Sequence, residues 1–153
     1  MDPRIRIGSS ADASLLADLL TDFNREFESA VPDRVTLTER FGRILAEPTV
    51  IAVIAETTIA AGFALVTLRP TPYADGPLAQ LDELYVVPDL RGLGIGSLIL
   101  AAAVAEVTDR GTQEMHIDVD EIDEDARRFY ERHGFVNIEP GRDYRMLCYL
   151  REF

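Results

Sequence analysis

Residues 86–97, Val-Val-Pro-Asp-Leu-Arg-Gly-Leu-Gly-Ile-Gly-Ser, place alternating glycines between an apolar run and a helix-forming stretch that starts at Leu98. That order aims several backbone N–H groups at one point beyond a helix N-terminus. Unpaired donors and the positive end of the helix dipole make such a point attractive to an anion. Gly92, Gly94 and Gly96 allow a tight turn and let a phosphate approach without meeting a Cβ. The segment is read as a pyrophosphate cradle. It is not a P-loop, which needs Gly-Lys-Ser/Thr, because the chain contains no lysine. A dinucleotide fingerprint fails as well, since the place of its third glycine holds Ser97. A ligand-free glycine turn is the plainer reading of these residues taken alone.

A second group lies at residues 123–135, Asp-Glu-Asp-Ala-Arg-Arg-Phe-Tyr-Glu-Arg-His-Gly-Phe. Asp123 suits an N-cap, Ala126, Phe129, Tyr130 and His133 recur at helical spacing, and Gly134 is a stop signal. Core aromatics of an amphipathic helix would give the same pattern. Between the two groups, Met115, Ile117 and Val119 alternate as in a strand.

Together the two blocks resemble the GNAT (GCN5-related N-acetyltransferase) superfamily. Arg91, Gly94 and Gly96 fill its Gln/Arg-x-x-Gly-x-Gly/Ala loop, and Ala126, Phe129, Tyr130, Glu131 and Phe135 fill Asn-x-x-Ala-x-x-Φ-Tyr-Glu-x-x-Gly-Phe, Φ being apolar. The resemblance implies an acetyl-CoA-dependent N-acetyltransferase with acetyl-CoA as cosubstrate. The acetyl group would pass by direct attack in a ternary complex to a primary amine of a small molecule or peptide. A noncatalytic acyl-CoA-binding sensor or interaction module on the same fold is the alternative. The resemblance assigns cofactor contacts to Tyr85, Val86, Val87, Arg91, Gly92, Leu93, Gly94, Ile95, Gly96 and Ser97, with Asp123 at the position where the family commonly has asparagine. An aspartate accepts but does not donate a hydrogen bond, so a helix cap suits it better. By the same analogy Phe23, Asn24, Phe27, Tyr73 and Asp75 face the acceptor amine.

Acyl transfer to an amine requires the amine to lose a proton, and a lysine-like amine has a pKa of about 10.4. A carboxylate close to the acceptor supplies the base. Glu83, on the strand that feeds the cradle, is the candidate, and Asp82 beside it would point to the other face of a regular strand. Tyr130 is the candidate acid for the departing thiolate. His116 shares a strand face with Asp118 and Asp120, His133 suits a helix C-terminus, and Cys148 suits the core.

These groups must be held by one domain spanning residues 1–153, long enough for a substantial core. A net charge of −12 argues against nucleic acid and is compatible with an amine-bearing acceptor. The single cysteine leaves no internal disulfide, and no His/Cys cluster is spaced for a metal. No apolar leader segment or membrane-spanning run is present, so a soluble, cytoplasmic protein without a membrane partner is expected; a homodimer is compatible with the resemblance.

Patterning predicts strands over 4–7, 49–55, 59–68, 78–87 and 114–119, with a final pair around Val136 and over 144–150. Helices are predicted over 11–27, 36–46, 97–109 and up to His133. The expected fold is α/β (α+β), a mixed and mostly antiparallel twisted sheet of six to seven strands with about four helices on both faces.

Overall fold

The computed structural model describes residues 2–153. Its elements, in chain order, are β1 (Arg4–Ile7), α1 (Ala13–Glu26), α2 (Arg34–Ile44), β2 (Val50–Glu56), β3 (Ala60–Arg69), β4 (Leu78–Val86), α3 (Ile95–Asp109), β5 (Met115–His116) and α4 (Glu124–Arg132). Short 3₁₀ turns at Ser10–Asp12 and Pro88–Leu90 precede α1 and α3. The chain divides into a unit ending at His116 and a second unit, Ile117–Phe153.

In the first unit the strands lie in the order β1-β2-β3-β4-β5, antiparallel except for the parallel β4–β5 pair. The middle residues of β2 and most of β3 are buried, as apolar strands covered on both faces must be. Cross-strand partners share a face, so register separates the two sides. Ala52, Ile54, Phe63, Leu65 and Tyr85 form one face and pack beneath α1 and α2, with Leu16, Leu19, Leu37 and Phe41 above them. The opposite face carries Ile51, Val53, Ala64 and Val66 and lies under α3. There a Cβ on Gly62 would stand 3.2 Å from Ile99 Cδ1 and only 2.3 Å from the Tyr85 carbonyl oxygen.

Arg6 ties β1 to its surroundings. Its guanidinium meets Asp12 at 2.8 Å and Glu56 at 2.7 Å, joining the start of α1 to the end of β2. Asp12 also accepts from the Ser9 amide, at 2.8 Å, closing a capping box. The Arg6 guanidinium holds the carboxyls of both Asp12 and Glu56 below their ordinary range.

The second unit contains α4 and no strand among its described residues. Asp123 caps the helix by accepting from the Ala126 amide at 3.1 Å, and Gly134, at φ 88°, ends it. Phe135 returns to pack on Tyr130, with ring centroids 5.5 Å apart.

The expected helices all form, within two or three residues of their predicted ends. The sheet is smaller than expected, five strands and not six to seven. The strand predicted over 114–119 is reduced to Met115–His116, and the pair around Val136 and over 144–150 does not form. Alternation supplies a suitable surface, but a strand exists only by its ladder. In this segment one bond, Met146 N–H to the Asn137 carbonyl at 2.7 Å, is all that approaches a ladder. Cys148, expected in the core, is exposed.

Replacing Gly62 with valine should lower stability by about 1–3 kcal/mol, because a backbone oxygen occupies the place of its Cβ. A urea midpoint equal to the parent's would show that β4 gives way without cost.

Candidate active site

One irregularity in β4 decides where its carboxylates go. Leu65 pairs with Glu83, but the next residue, Val66, pairs with Leu81. Asp82 is therefore the extra residue of a β-bulge, and the alternation of the strand inverts across it. Leu81 faces α3 and is fully buried, whereas Glu83 turns to the α1/α2 face beside Leu65 and in line with Tyr85. Without the bulge, Glu83 would follow Leu81 under α3. Asp82 is exposed and accepts from the Thr67 hydroxyl at 2.7 Å.

Glu83 lies in a cleft of about 500 Å³. Leu20 of α1, Leu65 of β3, and Leu37, Phe41 and Ile44 of α2 supply the apolar walls. Arg40 and Arg43 of α2, and Glu47 in the turn after it, complete the lining. Half-buried in these surroundings, and beside Asp82, the Glu83 carboxyl is pushed up from 4.5 to about 7. Burial is the larger cause, since an apolar wall disfavours the charged form. A carboxylate poised near neutrality accepts protons from an ammonium far better than an ordinary surface glutamate.

β4 then runs into the glycine loop. Val87 donates to the Ala61 carbonyl at 2.9 Å, so the strand stays paired with β3 to its end. Arg91 turns back on it: Nε donates to the Val86 carbonyl at 2.9 Å, and both terminal nitrogens meet the Glu26 carboxylate at 2.6 Å. This fork also lies over the Tyr85 ring, 5.7 Å from its centroid. The Arg91 side chain thus fastens the loop to the end of α1. Gly92 and Gly94 take φ of 77° and 82°, the left-handed region that favours glycine.

The loop fits an anionic ligand. Gly94 is the N-cap of α3, no side chain caps the helix, and its first turn holds no acidic residue. The first helical bond of the turn is Leu98 N–H to the Gly94 carbonyl, at 3.1 Å, so the amides before it have no acceptor within the helix. A Cβ placed on Gly92 or Gly94 would meet no protein atom within 4 Å, so the space over the loop is open. Ile95 is buried and anchors the helix start, while Leu93 is exposed; Gly96 and Ser97 are intermediate.

Of the residues expected to face the acceptor, Phe23 lies on α1 with its ring 5.0 Å from Tyr85 and 5.3 Å from Phe27. Asn24 donates to the Leu20 carbonyl of its own helix at 2.8 Å. Tyr73 lines a different cleft, about 420 Å³, with Arg69, Leu78 and His116. None of these residues lines the Glu83 cleft. α2 supplies most of it, a contribution that neither sequence motif names. The available signal was the spacing of Leu37, Phe41 and Ile44 with Arg40 and Arg43 beside them.

In the second unit Tyr130 is buried among aromatic rings, 5.2 Å from Phe129 and 5.5 Å from Phe135. His133 ends the helix, its ring Nδ1 within 2.7 Å of the Phe129 carbonyl. His116 meets Glu114, at 2.5 Å. The Cys148 thiol is pushed up by Asp118. No group of His, Cys, Asp and Glu among the described residues is arranged to hold a metal ion, and no helix is long and apolar enough to cross a membrane.

The family model described as Acetyltransferase (GNAT) family matches residues 14–135. A crystal structure of a candidate acetyltransferase from Arthrobacter sp. FB24 superposes with a TM-score of 0.91 at 42% identity, covering 100% of this chain and 96% of that one. The aminoglycoside N(6')-acetyltransferase type 1 of Stenotrophomonas maltophilia is 30% identical over 148 residues, 94% of this chain and 93% of that protein. The mycothiol acetyltransferase of Thermobispora bispora is 37% identical over 72 residues, 47% of this chain. The match covers only 24% of that longer protein.

The raised Glu83 carboxyl has a consequence for stability. Below its unfolded value of 4.5 both states are protonated and stability is greatest; as pH rises from there to about 7 the unfolded chain ionises first, and stability falls. Urea midpoints at pH 5 and pH 8 should therefore differ more for the parent than for Glu83→Gln. Equal differences would mean that Glu83 titrates as it does in the unfolded chain.

Proposed function

The chain belongs to the GNAT acetyltransferase family, and from that premise we propose that it moves an acetyl group from acetyl-CoA to a primary amine. The observation that carries the reading is Glu83, turned by the Asp82 bulge into an apolar cleft and held near neutrality. The glycine loop is the second support. Amides of residues 92–97 and the dipole of α3 would hold the pyrophosphate, and the end of β4 leads from that loop towards Glu83. Bound there, acetyl-CoA would supply an acyl group already activated as a thioester.

The chain's own residues then divide the proton traffic. Glu83, ionised in a useful fraction near pH 7, takes a proton from the acceptor ammonium directly or through water, leaving a nucleophilic amine. The apolar walls around it exclude bulk water and keep the amine from being reprotonated. Tyr130 offers its phenolic proton to the departing sulfur. Thiolates are modest bases, so a phenol suffices. The acceptor is an amine-bearing small molecule or peptide; the relatives' names cover aminoglycosides and mycothiol.

Thiol release from acetyl-CoA over a panel of amines tests the reading. Binding of acetyl-CoA without release on any amine would place the chain with acyl-CoA sensors. In Glu83→Gln, turnover should fall by about 10²–10⁴-fold at neutral pH and less at higher pH, where more of the amine is already neutral. A variant profile parallel to the parent's would move the base elsewhere.

Tyr130→Phe keeps the ring among Phe129 and Phe135 and removes only the proton. Single-turnover transfer should slow by about 10²–10⁴-fold, with acetyl-CoA affinity unchanged. A rate within about twofold of the parent would return Tyr130 to a packing role.

A further inference from the structure

The cleft that holds Glu83 also carries two cations that the proposed transfer does not use. Arg40 and Arg43 belong to α2 and line the cleft while remaining exposed. Neither forms an ion pair or side-chain hydrogen bond among the described residues. Arg34, on the same helix, pairs with Asp18 at 2.5 Å, and Arg91, Arg110 and Arg6 are likewise engaged. Glu47, in the turn just after α2, lines the same cleft, yet it does not pair with Arg43. The lining is therefore polarised. Apolar walls enclose one carboxyl on the sheet, and on the other side two guanidinium groups that form no ion pair outnumber the single Glu47 carboxylate.

We propose that Arg40 and Arg43 select the acceptor: an amine with an apolar body that also bears a carboxylate or similar anion, as an amino acid with an apolar side chain does. The proposal rests on the acetyl-transfer reading of the same cleft and names its substrate class. The amine is drawn to Glu83, the body lies against Leu37 and Phe41, and the anion meets the arginines. A guanidinium presents a planar fork that matches a carboxylate with two parallel hydrogen bonds. The same groups repel a polycation. The chain's net charge of −12 would favour cations at long range, but salt screens that field beyond about 8–10 Å, and contacts inside the cleft decide. An aminoglycoside, with several ammonium groups and little apolar surface, fits this cleft poorly.

Phenylalanine and phenethylamine share an apolar body and differ by the carboxylate, so they serve as matched probes, with kanamycin as the polycation. The parent should acetylate phenylalanine with kcat/KM at least about tenfold above phenethylamine, mainly through KM, and kanamycin least. In the Arg40→Gln/Arg43→Gln double variant that ratio should collapse towards one, with circular dichroism unchanged. Equal kcat/KM for the two probes in the parent, a preference for kanamycin, or a ratio that survives in the double variant would overturn the proposal. Calorimetry of phenylalanine on the CoA-saturated protein separates it from the transfer reading. Affinity that weakens at least about tenfold in the double variant, without turnover on any amine, would uphold the anion selection and sink the transfer. Turnover with binding indifferent to the arginines would do the reverse.

Discussion

The Asp82 bulge is the constraint on which the site depends, because a β-strand alternates its side chains with a period of two and has no other freedom. β4 must bury Leu81 under α3 and, a few residues on, Tyr85 under α1. Those two faces are opposite, and the residues are an even number apart, so a regular strand would leave one of them in the wrong layer. One extra residue resolves the conflict, and the correction falls at Asp82. Its consequence is chemical: a glutamate emerges on a covered face where apolar neighbours raise its pKa. Thr67 holds the bulged carboxylate outside, at 2.7 Å, away from the one inside.

A second constraint links the loop to the helical layer. Arg91 joins β4, the glycine turn and α1 through Val86, Tyr85 and Glu26. Partly exposed ion pairs contribute little to stability on their own. Here the geometry matters more, because a bidentate pair restricts the direction in which the loop leaves the strand. The residue that the loop motif singled out as a cofactor contact thus has its side chain engaged by the protein, and the anion-binding capacity rests with the backbone. Glu26 lies below its ordinary carboxyl value for the same reason, the Arg91 hydrogen bonds favouring its charged form.

What was legible in the sequence was local. Glycines with positive φ, the Asp123 cap and the Gly134 stop are written in a few adjacent residues, and all occur where expected. The strand and helix pattern through α3 was equally readable, since each periodicity reports its own burial. The bulge was not, because Leu81-Asp82-Glu83 alternates acceptably in either register and only the partner strand distinguishes them. The cleft was hidden for a similar reason: Arg40 lies some forty positions before Glu83, and nothing in either segment names the other. The family resemblance points to Phe23 and Phe27 at the end of α1, where the Phe23 ring meets both Tyr85 and Phe27. Over 117–119 and 144–150 the sequence has strand character without the pairing that would realise it.

The guanidinium lining of the cleft has a consequence for the protein's own chemical integrity. If the cleft serves the proposed transfer, any lysine placed at position 40 or 43 would set a nucleophilic ε-amine beside Glu83 and the acyl donor. Such a residue would compete with the true acceptor, and once acylated it would lose its charge for good. A guanidinium stays protonated across the physiological pH range and does not attack a thioester. The chain has no lysine at all, so on the proposed reading arginines can line the cleft without being consumed by an acyl donor. Self-modification at a lysine side chain is thereby closed off.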